Sequence, residues 1–315
     1  MVIGVLIYYA LRPVLTLPQE LVFYDVLSHG VQPTLIFAML FLSFLKVEPS
    51  LLRPHRWHGV LLLVQGSLFV ACSLLAVACK DIPLTMGEGR GEVQLLLECA
   101  MLCFICPTAT ASAVIVQKLG GSLSGDVTYI ILCNLMVSIL APTFLPLVEP
   151  QATHGWADAF FLIIGKVFPL LLCPLFVAMI VRHYMPRLMQ RLLAIRDLAF
   201  YLWLVALAFA ITVTVRTIDE SRISVVILAG FAVISALCCV VQFALGKYIG
   251  RRFFSAEGPE VSSITAGQAF GQKNTVFVIW MGLVFLNPIT SVVGGFYSIW
   301  HNIVNSWQLY KKGKA

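Results

Sequence analysis

The stretch CPTATASAV, Cys106 to Val114, follows the apolar run LLLECAMLCFI and precedes the polar turn QKLGGSLSGD. A segment of membrane length is thus interrupted by Pro107, two threonines and a serine. Proline removes a backbone donor and clashes with the turn before it, and the carbonyls it frees must face a cavity or an ion if the segment lies in lipid. Ala109, Ala111 and Ala113 leave room for a crossing helix, while the hydroxyls of Thr108, Thr110 and Ser112 can coordinate or donate.

Working outward, 60% of the residues are hydrophobic and 11% charged, against roughly 45–50% and ~25% in soluble domains. The chain therefore reads as an all-α polytopic membrane protein, since apolar blocks this long and continuous satisfy their backbone only as helices. Ten transmembrane spans are expected: 2–17, 29–46, 57–79, 93–118 with a break, 125–148, 158–183, 196–215, 222–246, 262–283 with a break, and 286–307. The first is short and starts directly in apolar sequence, as a clipped or tilted helix would rather than a signal peptide.

Charge fixes the expected orientation. Alternate loops and the tail hold fourteen basic residues: Lys46, Arg53, Arg56, Lys118, Arg182, Arg187, Arg191, Arg196, Lys247, Arg251, Arg252, Lys311, Lys312 and Lys314. The opposite loops hold Arg12, Lys80, Arg90, Arg216 and Arg222, alongside most of the acids. The positive-inside rule then places both termini in the cytoplasm of a cell membrane. This distribution marks topology, and nucleic acid is not an expected partner. Arg182 to Arg196 read as topology signals, and the HRWH run at His55 to His58 as an interfacial loop.

An odd number of spans per half, 1–150 and 151–315, gives the halves opposite orientations. Span nine carries a second interruption, GQKNT at Gly271 to Thr275 within Gly267 to Thr275, at the position matching CPTATAS. Gly267 and Gly271 loosen the backbone there, and Gln268, Gln272, Lys273, Asn274 and Thr275 supply polarity. Paired interruptions in oppositely oriented halves point to an inverted-repeat secondary transporter with its site near the midplane.

At these residues the sequence resembles the bile acid sodium symporter family over nearly its whole length. CPTATASAV stands where the family carries Cys-Pro-Gly-Gly-Thr-x-Ser-Asn-Val, and GQKN where it carries Gly-x-Gln-Asn. Gly125 and Asp126 match its GD pair, and Trp300, His301 and Asn302 its WHN ending. The resemblance implies two inverted five-helix repeats with broken crossing helices 4 and 9. It implies a core domain from spans 57–148 and 222–307, a panel domain from spans 2–46 and 158–215, and an organic anion held between them. The substrate contacts it implies fall on Thr110, Asn274, His301 and Asn302, all neutral donors to a carboxylate or sulfonate.

The implied sodium ligands are where the chain departs. The first site's asparagine becomes Ala113, the shared carboxylate Ala269, a glutamine Lys273 and a hydroxyl Ile130. Gln65, Ser112 and Asn134 remain, with Thr108 beside them. Two sodium ions without a carboxylate and next to an ammonium are unfavourable in a low-dielectric site. Lys273 instead reads as a tethered cation in the ion's place, giving proton coupling or exchange rather than sodium coupling. A lysine whose stem reaches cytoplasmic water is the plainer alternative. A sodium symporter with altered ion sites, and a channel or sensor on the same fold, are the other readings.

The remaining polar residues get smaller roles. Glu98, about 9 Å into span four at 1.5 Å per residue, is a second candidate for proton traffic or a partner for a lysine, with outer water expected within its reach as the plainer reading, and Lys166 snorkels. Asn305 and Trp307 read as packing and interface anchors. The nine cysteines read as small packing residues, with no disulfide, metal or cofactor implied. No HExxH, paired-carboxylate or activated-serine motif suggests an enzyme.

Overall fold

The structure is a computed structural model that describes residues 2–80, 82, 91–149, 155–195, 198–221 and 223–314. Arg90, Arg196 and Arg222 of the charge pattern lie outside the described residues. Thirteen helices and no named strand occur among the described residues. Six of these helices are long and apolar enough to cross a membrane, so the chain is an integral membrane protein by composition and length.

Helix α1 (Val2–Leu11) is followed by α2, continuous from Leu17 to Lys46. Then come α3 (Arg56–Ala78), α4 (Glu92–Ile105), α5 (Ser112–Leu119) and α6 (Leu123–Val148). The second half holds α7 (Trp156–Tyr184), the short α8 (Pro186–Ala194), α9 (Leu198–Ser221) and α10 (Val225–Arg252). It ends with α11 (Pro259–Gly271), α12 (Thr275–Phe285) and α13 (Val292–Gly313).

Two expected boundaries move. The first helix stops at Leu11, so at ten residues it rises only about 15 Å, half the ~30 Å hydrocarbon core. The second begins at Leu17 rather than near residue 29. Its polar first turns are stabilised locally: the Thr16 backbone N–H donates to Gln19 Oε1 at 3.1 Å, and Pro18 sits at the helix start where no donor is missed. Further along, Glu20 pairs with Arg216 at 3.1 Å, and the Arg216 guanidinium lies 4.2 Å from the Tyr24 ring centre. Charge that looked like a loop is neutralised against α9.

Within α2 the segment Leu27–Val31 widens to a π turn, in which the Gln32 backbone N–H reaches the Leu27 carbonyl. The cause is Pro33, which has no N–H to give and crowds the turn before it. Thr34 Oγ1 satisfies the Gly30 carbonyl at 2.7 Å.

In the packing, α3 lies against α4 and α6, and α10 against α4, α11 and α13, while α2 packs on α7 and α9 and α1 on α9. The α10–α11 contact is backbone-close: a Cβ on Gly246 would stand 2.5 Å from the Ala266 carbonyl oxygen. Gly120, at φ +84°, ends α5 in the left-handed conformation that glycine tolerates best.

Two further expectations are corrected. Trp57 and His58 are buried, not interfacial; the His58 ring accepts from the His55 N–H at Nδ1 and so donates from Nε2 to the Gly125 carbonyl at 2.9 Å, tying α3 to α6. Glu98 is 1% exposed and sealed from outer water. Arg182 donates to the carbonyls of Leu45 at 2.6 Å and Val47 at 3.1 Å, closing the end of α2. Lys166 is exposed along α7.

Candidate functional site

Both interruptions exist, and they meet. The helix broken between Ile105 and Ser112 crosses the helix broken between Gly271 and Thr275. Thr108 and Lys273 form an antiparallel bridge at the crossing. The Ala109 N–H donates to the Gln272 carbonyl at 2.8 Å, and the Asn274 N–H donates to the Pro107 carbonyl at 2.9 Å. Two stretches of broken helix thus repair part of each other's backbone.

The carbonyls freed by the breaks were expected to face a cavity or an ion; the structure gives them protein donors instead. Gln65 Nε2 donates to Phe104 at 2.8 Å and Cys106 at 3.2 Å, and Gln242 Nε2 to Cys103 at 3.2 Å. Thr108 Oγ1 donates to Ala269, Tyr297 to Gly271 at 2.8 Å, and the Cys106 thiol to Asn274 at 3.1 Å. This follows from the cost of burying an unpaired amide, about 1–3 kcal/mol each.

The residues expected to couple an ion are therefore in use. Gln65 Oε1 accepts from the Tyr129 hydroxyl at 2.8 Å, Ser112 donates to Asp126 Oδ2, and Asn134 Nδ2 donates to the Leu171 carbonyl at 3.3 Å. Thr108 is held as above. Among the described residues no three His, Cys, Asp or Glu side chains are placed to hold a metal ion. Asp126, noticed in the sequence only as half of a GD pair, is fully buried with Oδ1 unpaired.

Lys273 is 1% exposed, so its stem does not reach cytoplasmic water. Its Nζ has no hydrogen-bond partner and lies 4.9 Å from the Phe270 ring centre. The thiols of Cys103, Cys106 and Cys133 are its electrostatic neighbours.

On the other side of the crossing lies a cavity of about 560 Å³, within the range of small-molecule sites. Three expected substrate contacts, Thr110, His301 and Asn302, line it. Asn274 is not among its lining residues: its Oδ1 accepts from the Phe277 N–H at 3.3 Å, capping α12. Gln272 and Asn305, the latter expected only to pack, are lining residues that sequence reasoning did not assign to substrate. The missed signal was the spacing Ser298, His301, Asn305, Gln308, one polar face of α13. Trp300 sets that face by donating to α10, at 3.1 Å from the Ala232 carbonyl.

In Gln272, His301 and Asn305, all lining residues, one side-chain polar atom is sealed without a partner (Oε1, Nδ1 and Oδ1). Phe200 and Trp203 of α9 give an apolar wall, and Lys46 and Lys118, both exposed, stand among the lining residues, where no carboxylate occurs among the described residues. A second cavity of about 520 Å³ touches α2 at Leu21 to His29 and α9 at Val213 to Ser221, toward the other end of both helices. Compared with known proteins, the chain matches no protein-family model and no curated protein.

Proposed function

We propose that the chain is a secondary transporter that carries an organic anion across a cell membrane by alternating access. The observation that carries this reading is the crossing itself. Two helices broken inside the apolar body are joined backbone to backbone, and beside the join lies a cavity walled by neutral donors and flanked by two lysines. A carboxylate or sulfonate is an acceptor-only ligand, and such a wall suits it.

On this reading ten spans form two inverted halves, 1–150 and 151–315, with α4/α5 and α11/α12 as the broken crossing helices. The core is built from 57–148 and 222–307 and the panel from 2–46 and 158–215, the plan of the bile acid sodium symporter family that the motifs resemble. Both termini are cytoplasmic, so the cavity beside Lys46 and Lys118 is the inward vestibule. Coupling is by proton or exchange rather than sodium. In support, Ala113, Ala269 and Ile130 offer no charge or coordinating side chain, and a buried ammonium at Lys273 stands in for a cation.

Counterflow tests the reading. Purified protein in liposomes preloaded with an unlabelled anion should accelerate uptake of the same labelled anion and should saturate, with taurocholate and pyruvate as a large and a small probe. Flux that neither saturates nor shows counterflow would assign the fold to a channel.

A further inference from the structure

On α2, the second vestibule is lined at Leu21, Tyr24, Asp25, Ser28 and His29, a spacing of three and four that marks one helical face. The next position on that face is Gln32. One turn beyond, the face continues through Ile36, Met39 and Leu40 to Ser43 and Lys46, which line the first vestibule. A single stripe of α2 therefore runs from one vestibule to the other, and the layer between them is shut.

Gln32 sits in that shut layer. It is 0% exposed, and both its Nε2 and its Oε1 lack a hydrogen-bond partner. It is the one polar side chain of the stripe between His29 and Ser43, and it immediately follows the π turn of Leu27–Val31. The facing helix α12, packed on this part of α2, carries another sealed and unpaired donor, Trp280 Nε1. A seal needs only apolar packing, and an amide buried without partners costs free energy in this arrangement. That cost is recovered if a second arrangement gives the amide partners.

We propose that Gln32 is a solute-binding residue of the transport path. When the second vestibule deepens by one turn of α2, the Gln32 amide opens into it, and Nε2 donates to the anionic group of the solute. The claim rests on the carrier reading, and it adds to it a contact on the panel side, opposite His301 and Gln272.

Thiol labelling in intact cells tests it. Gln32→Cys should react with a membrane-impermeant methanethiosulfonate applied outside at least ten times faster than the wild type, whose nine cysteines give the background. Taurocholate or pyruvate, whichever supports counterflow, should slow the reaction. Gln32→Met, nearly the same size, serves as the second variant. It should raise KM for uptake from the outer face at least tenfold in right-side-out vesicles while KM measured in inside-out vesicles stays within twofold. Labelling no faster than the wild type in a protein that performs counterflow, or an unchanged outer KM in Gln32→Met, overturns this proposal and leaves the carrier standing. Fast, anion-insensitive labelling in a protein without counterflow overturns both.

Discussion

A buried lysine with no acceptor for its amine is costly for a membrane protein to keep, whether it holds its charge or gives up its proton. Lys273 is such a residue, held over Phe270 at the point where two helices come apart. If it serves transport and not folding, Lys273→Met should leave the thermal midpoint of the purified protein equal or higher while cutting counterflow by about tenfold or more. A fall in both would make the lysine structural. Gln65 predicts the reverse. It bonds two freed carbonyls and accepts from Tyr129, so Gln65→Leu should destabilise the protein by about 1–3 kcal/mol, read as a lower midpoint in detergent. Neither role of Gln65 was legible in the sequence, where it stood only as an ion ligand carried over from a resemblance. Hydrogen bonds to a distant broken helix leave no local pattern.

At the level of elements, the two breaks were readable because proline and glycine act locally, and the structure breaks both helices within the quoted stretches. What the sequence could not give was that each break repairs the other through Pro107, Ala109, Gln272 and Asn274. That pairing depends on how α4, α5, α11 and α12 cross. The start of α2 was misplaced for a related reason: Glu20 looks like loop polarity until Arg216, 196 positions away, neutralises it. The α10–α11 pair makes its own prediction. Because a Cβ on Gly246 would meet the Ala266 carbonyl and the Gly267 Cα at 2.5 and 2.9 Å, Gly246→Ala should cost about 1–3 kcal/mol by overpacking. The measurement is the loss of monodisperse protein on gentle heating, and no loss would show that the helices can part.

Across the whole molecule the two vestibules differ in charge. Among the described residues the first is lined by Lys46 and Lys118 without a carboxylate, while the second holds Asp25, Glu220 and Arg216 together. An anion approaching the first is attracted over about one Debye length, ~8 Å at physiological salt. The double variant Lys46→Gln with Lys118→Gln should therefore raise KM from that face several-fold at low salt and abolish its salt dependence, measured in inside-out vesicles, with uptake from the other face unchanged. This asymmetry was only half legible: positive-inside counting found the lysines, but their place beside a cavity needed the packing of α2, α5 and α13. The most direct test of the account as a whole is anion accumulation in proteoliposomes under sodium and pH gradients imposed one at a time. The account predicts saturable uptake that responds to the pH gradient or to anion inside the vesicle and is indifferent to sodium. Accumulation driven by the sodium gradient alone would contradict it.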